Sequence, residues 1–206
     1  MNLYYLLTIF GAIYEGSSAL KLFGTSIVKG KVKLGRLIEA IEAKSEDRVV
    51  QGLLEEACVG SRSSVKALKG LTGCFEVQRT LGEPSWTKYA KVLSADDSKN
   101  YQIFSSRADN KFVNLSEYRF GCFATASGTY RKSSPGTFEA SVTKVSIYLG
   151  NVVVPLPVKG TGLISVLISD EFLRAIKSEE RAIALQRPIP VPKKYKALLE
   201  REEIFV

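Results

Sequence analysis

Between residues 73 and 168 the chain breaks into short β-rich segments: GCFEVQRT, WTKYAKVL, YQIFSSR, KFVNL, YRFGCFATA, TFEASVTKVSIYL, NVVVPLP and GLISVLI. Turn signals separate them, among them Gly82-Glu83-Pro84, Ala95-Asp96-Asp97, Ala108-Asp109-Asn110, Ser134-Pro135-Gly136 and Gly160-Thr161-Gly162. Such runs of β-branched and aromatic residues at this spacing predict a meander or a sandwich-like sheet. Aromatics are dense here, with Phe104, Tyr118, Phe120 and Phe123 near Arg107, Arg119 and Arg131. Base-stacking platforms are one reading. Core packing and cross-strand pairing explain the same rings without a ligand and are preferred.

The flanks read differently. Residues 3–14 carry no charge before Glu15. Twelve residues are too few for a membrane-spanning helix, and no Lys or Arg precedes them as an export signal would require. Tyr4, Tyr5, Thr8, Ile9, Phe10, Ile13 and Tyr14 suit a strand covered on both faces. A surface helix and a signal remain rivals. In SIVKGKVKLG, Lys29, Lys31 and Lys33 alternate with small apolar residues, so as a strand it puts three ammonium groups on one face. Two helices follow. The first presents Leu37, Ile38 and Ile41. The second is capped by Ser45, carries Val49, Val50, Leu53, Leu54 and Ala57, and ends near Gly60. Arg62, Lys66 and Lys69 add a second basic cluster. Ser169-Asp170-Glu171 opens a last helix with Phe172, Leu173, Ile176 and Ile183 as its stripe. Pro188, Pro190 and Pro192 then force an extended spacer. The final KKYKALLEREEIFV forms a short amphipathic helix with Tyr195, Leu198, Leu199, Ile204 and Phe205 as apolar anchors. The expected fold class is α+β: an antiparallel sheet or sandwich-like core with two or three packed helices and an extended C-terminal tail. Residues 1–186 make one core domain, and residues 187–206 a Pro-rich spacer and arm.

Composition narrows the chemistry. The chain of 206 residues has no histidine, which removes the usual general base near neutral pH. Ser-His-Asp triads, Cys-His pairs and His-containing zinc sites are excluded. Cys58, Cys74 and Cys122 lack metal or redox spacing and read as buried thiols in a reducing compartment. The sequon Asn114-Leu115-Ser116 is then idle. GTSIVKGKV departs from a phosphate loop, since Val32 stands where Ser or Thr should bind magnesium. Gly160-Thr161-Gly162 lacks the third glycine of a dinucleotide fingerprint. The pairs Glu55-Glu56 and Glu179-Glu180 are adjacent and point apart on a helix. No enzyme chemistry and no cofactor or metal follow. The balance of 29 Lys and Arg against 21 Asp and Glu, net +8, draws the chain to polyanions.

The element order, with an apolar strand, helices, a β-rich middle and a late strand-helix, resembles that of rhabdovirus matrix proteins. LTIFGAIYEGSS is similar to their first core strand. The resemblance implies a small basic protein with an α+β core that coats the inner membrane and condenses a nucleocapsid. The expectation is a non-enzymatic, self-assembling protein, cytoplasmic, peripheral on membrane or in a virion, that binds a polyanionic surface. Lys29, Lys31, Lys33 and Arg36, with Arg62, Lys66 and Lys69, are the expected contacts. Each is worth about 1 kcal/mol toward anionic lipid. Pro188, Pro190, Pro192, Tyr195, Leu198, Leu199, Ile204 and Phe205 are the expected self-association arm. Alternatives are a nucleic-acid-binding coat or movement-type protein and a structural subunit of a large complex. No small-molecule substrate is evident.

Overall fold

The computed structural model describes residues 27–61, 71–82, 99–107, 109–157, 159–179 and 182–206. Two helices lead, α1 (Ile27–Glu42) and α2 (Asp47–Ser61). The strands follow as β1 (Gly73–Leu81), β2 (Asn100–Phe104), β3 (Lys111–Glu117), β4 (Phe123–Ser134), β5 (Thr137–Leu149), β6 (Val152–Leu156), β7 (Gly160–Ser169), β8 (Arg174–Ser178) and β9 (Ile183–Ile189). A 3-10 turn (Lys193–Tyr195) leads into a last helix, α3 (Lys196–Arg201).

Each strand pairs antiparallel with its neighbours, and the sheet closes on itself. The path runs β1-β2-β3-β4-β5-β7-β8-β9 and returns to β1. Closure of eight strands removes the open edges that a flat sheet would expose. Strand β5 pairs with β4 along one edge and is long enough to divide its other edge between two partners. Residues 137–142 pair with β7, and residues 145–149 pair with β6, which flanks the barrel as a side hairpin. At the bulge between Ser127 and Gly128, β4 and β5 approach so closely that a Cβ on Gly128 would stand 1.8 Å from the Ser141 carbonyl oxygen. Only glycine fits there.

Strand alternation then sorts the side chains. Phe104, Phe112, Ala124, Ala126, Tyr130, Phe138, Ala140, Val142, Val145, Ile147 and Ile176 form the inner cluster. Two outer clusters cover the wall. Leu37, Ala40, Val50, Leu54 and Ala57 from α1 and α2 pack on Leu81, Ile168, Leu173, Ala175 and Leu185. Tyr195, Leu199 and Ile204 of the tail pack on Cys74, Tyr101, Ile103, Val113 and Leu115.

This arrangement corrects the expected fold class. The core is neither an α+β sheet nor a sandwich but a closed antiparallel barrel, with its helices laid outside. Alternation reports only that strands have one buried face; ring closure depends on β9 pairing with β1, a contact distant in sequence. SIVKGKVKLG is likewise not a strand, because Ile27–Glu42 is one helix. A period of two also places residues at i and i+4, and the continuation through Leu34, Leu37, Ile38 and Ile41 has helical spacing only. The expected helix after Ser169 is absent too. Asp170 instead closes a turn, its carboxylate accepting from the Phe172 amide at 3.2 Å and its own amide donating to the Leu173 carbonyl. Leu173 and Ile176 then alternate across β8, to the outer wall and the interior. Pro188 belongs to β9, opposite Phe75. Pairing with β8 stops at Gln186, so the proline lies where β9 has one neighbour. Residues 3–24, WTKYAKVL and the cluster Arg62, Lys66 and Lys69 lie outside the described residues.

Candidate functional site

The inward positions of the barrel are not chemically uniform. Toward the end where β1 starts and β2 finishes stand large rings. Phe104 stacks on Phe112 at 5.7 Å and meets Tyr130 edge-on at 5.3 Å, and Tyr130 meets Phe138 at 6.2 Å. Leu71, just before β1, packs into the same cluster. Toward the other end the inward positions of β3 and β4 are smaller or polar. In cross-strand register Asn114 faces Ala126, and Ser116 faces Ala124. Tyr118 packs against that cluster, and burial pushes its phenol up to about 12, partly offset by its hydrogen bond with Ser116.

Among the described residues, one buried charged side chain lies inside this shell. Arg174 opens β8, one residue after the outward Leu173, so alternation turns it inward. Both Arg174 and its cross-strand neighbour Gln186 are 0% exposed. The guanidinium lies over the Phe75 ring, its Cζ 3.2 Å from the centroid, with Phe104 at 5.1 Å. That geometry is a cation–π contact in a dry setting, where it is strongest. Arg174 Nε donates to Gln186 Oε1 at 2.7 Å, and Nη1 donates to the Leu71 carbonyl at 2.8 Å. Among the described residues Nη2 has no partner, and neither has Gln186 Nε2. Because arginine only donates, the amide must present its oxygen to Nε, which leaves Nε2 as a second free donor.

Among the described residues no carboxylate pairs with Arg174. Burial pulls its pKa well below the ordinary value; the Cys74 thiol opposes this weakly. A guanidinium remains a cation at neutral pH even so. Burial also pushes the Cys74 thiol up to about 11, with Arg174 pulling the other way, so that thiol supplies no negative charge at neutral pH. A buried cation without a counter-ion is costly, and buried donors without acceptors cost about 1–3 kcal/mol each. Asn114 Oδ1, also inward, is a further buried atom without a partner.

The predicted contact residues lie elsewhere. Lys29, Lys31, Lys33 and Arg36 all fall in α1, where alternation no longer gives a common face. Positions 29, 33 and 36 share one side, and position 31 does not. Arg36 is exposed and Lys33 half-buried. The residues of the expected arm are spent on this chain's own barrel. Tyr195, Leu199 and Ile204 are buried there, and Leu198 packs beside them. The Tyr195 hydroxyl donates to Glu117 at 2.6 Å, and Lys194 pairs with the same carboxylate at 2.5 Å. Burial and Glu117 both push the Tyr195 phenol up. Phe205 lies under the Arg107 guanidinium, 3.3 Å from Cζ to the ring centroid, and its carbonyl accepts from the Ser106 amide at 2.7 Å.

Sequence reasoning missed Arg174 and Gln186. A signal existed: Arg174 sits in Phe172-Leu173-Arg174-Ala175-Ile176, a charge within an otherwise apolar run. Read as a helix stripe, it falls on a solvent side. Among the described residues no group of His, Cys, Asp or Glu is placed to hold a metal, and no described helix is long and apolar enough to cross a membrane.

No protein-family model matches the sequence, and no curated protein matches it. Among solved structures, the chain is similar to a biogenic amine-binding protein, studied as its selenomethionine derivative. The identity is 12% and the TM-score 0.37, over 66% of this chain and 73% of that one.

Proposed function

We propose that this chain is a non-enzymatic binding protein that houses one small, mainly apolar molecule inside its barrel. An eight-stranded barrel is just wide enough to be filled by side chains or to hold a small ligand. The observation that carries the reading is the pair of fully buried, unpartnered donors on Arg174 and Gln186. A fold that buries donors without acceptors is incomplete by itself, and a bound molecule or ordered water completes it. The inward residues Ala124, Ala126 and Ala140 are the small positions where added volume would compete with such a molecule.

The test titrates the full chain with the neutral fluorophore N-phenyl-1-naphthylamine. Saturable enhancement at one probe per chain is expected, weakened by filling the interior with Ala124→Phe or Ala126→Phe in variants that keep native near-ultraviolet circular dichroism. Absence of saturable binding, or binding indifferent to both fillings, overturns the reading.

A second reading rests on α1. Positions 29, 33 and 36 share a side, while Leu34, Leu37, Ile38 and Ile41 pack toward the barrel. This keeps polyanion binding by a helix face open, either to anionic lipid, as in a matrix-type protein, or to nucleic acid. Co-sedimentation with anionic but not neutral vesicles, lost in Lys29→Glu/Lys33→Glu/Arg36→Glu, supports it. Equal pelleting of that variant removes it.

A further inference from the structure

We infer that Arg174 and Gln186 form an anchor for a carboxylate, so that the molecule taken up by the barrel is an acid with an apolar body. The inference rests on the interior-binding reading above and adds the chemistry of the ligand's head.

Three features converge. The first is the character of the free atoms. Arg174 Nη2 and Gln186 Nε2 are both donors, and they belong to side chains already locked together by the bond from Nε to Oε1. A ligand group meeting them must accept twice. An ionised carboxylate is acceptor-only and offers two oxygens, whereas an alcohol or an amine brings a hydrogen of its own. The second is charge. The guanidinium carries one positive charge, and among the described residues no carboxylate balances it. One carboxylate neutralises it, while a dianion such as a phosphate monoester would bury surplus negative charge. The third is pre-organisation. Phe75 beneath the guanidinium, the Leu71 carbonyl on Nη1 and Gln186 on Nε fix its plane, so little freedom is lost when an anion docks. From this anchor the inward wall runs over Phe104, Phe112, Phe138 and Ile176 toward Ala126 and Val145 at the other end, which suits a hydrocarbon or aromatic body.

The experiment displaces bound N-phenyl-1-naphthylamine from the full chain with decanoate and, in parallel, with decanol, near neutral pH and at fixed ionic strength. Decanoate is expected to displace at a concentration at least about tenfold lower, the scale of a charge-assisted hydrogen bond. Equal potency, or a preference for decanol, overturns the carboxylate anchor while leaving interior binding intact. It would mean that water satisfies the two donors. Probe bound but displaced by neither compound also overturns the anchor. Failure of the probe to bind overturns the interior-binding reading and the anchor with it. Two variants localise the effect. Arg174→Met should abolish the preference for decanoate. Should Arg174→Met fail to fold, Gln186→Glu, which keeps an acceptor for Nε but places a carboxylate of the chain's own beside the cation, should abolish the preference without changing affinity for the neutral probe. A preference undiminished in the folded variants overturns the assignment.

Discussion

The two faces of one wall, the barrel interior around Arg174 and the outer surface under the C-terminal tail, treat polar groups in opposite ways. Under the tail the charged groups are spent, and of the buried polar atoms there only the Ser146 hydroxyl keeps no partner among the described residues. Glu117 receives both the Tyr195 hydroxyl and Lys194. Glu202 takes Lys144 at 2.6 Å and faces the Ser127 hydroxyl at 3.5 Å. Arg201 bonds the Tyr148 hydroxyl, and Lys111 bonds Glu203. Inside, Arg174, Gln186 and Asn114 each keep an atom without a partner among the described residues. A chain optimised only for stability would pair or replace a buried charge, as it has done with the charges outside. The contrast separates a clamp that holds the barrel shut from an interior that is poised for something else.

The sharpest way to break this comparison is to cut the clamp. Tyr195→Ala removes a buried ring that packs on Tyr101 and Phe123 at 5.9 and 5.5 Å, and it takes from Glu117 its donated hydroxyl. A loss of about 3–5 kcal/mol is expected from urea unfolding. Leu199→Ala, in the same seam, should cost about 2–4 kcal/mol. Losses within ordinary surface scatter would show that the tail does not hold the barrel.

The interior should respond less. The double variant Arg174→Met/Gln186→Leu removes the cation and both free donors while keeping apolar volume. Its expected cost in ligand-free protein is at most about 2 kcal/mol, because relief of the buried charge offsets the lost bonds to Gln186 and the Leu71 carbonyl. A cost equal to that of Tyr195→Ala would mark Arg174 as a structural strut and erase the contrast.

Alkali tests both faces together. Burial pushes the phenols of Tyr101 and Tyr118 up to about 12 and also raises Tyr130 and Tyr195, with Glu117 adding to the effect at Tyr195 and Tyr101. A phenol whose folded pKa is raised favours the fold below the unfolded value near 10, and that contribution drains away as pH climbs through the folded value. Unfolding should therefore become easier above about pH 10. Phenolate absorbance from these four rings should rise with unfolding rather than before it. Ionisation in the folded state at the ordinary pKa would contradict their burial.

The smallest expected effect lies at the exposed Lys111–Glu203 pair. Lys111 holds the Glu203 carboxyl below its usual range, so any support it gives is present above that range and fades as pH falls through the lowered value. Glu203→Gln should leave the thermal midpoint unchanged within error near neutral pH, since exposed pairs are heavily screened. A clear drop would extend the clamp to the chain's last turn.

Much of the β region was legible from residues alone, because the segments around Phe75, Ile103, Val113, Ala126 and Tyr148 combine β-branched or aromatic character with turn signals at their ends. The stretch after Ser169 was not. Its capping residues and apolar spacing satisfy a helix as well as a strand, and only pairing with β7 and β9 decides between them. The same holds for the tail. Tyr195, Leu199 and Ile204 announce an apolar face but not the surface that receives it.

By itself the sequence determined that this chain is basic, lacks an imidazole for neutral-pH catalysis, and carries a run of strand-forming segments with helices before them. Those properties are local, counted residue by residue. The tertiary structure alone decided that the strands close into a ring and that Arg174 stands inside it beside Gln186 with a donor to spare. Closure rests on pairings between residues as far apart as Cys74 and Ile189, and inside or outside has no meaning for a strand until that ring exists.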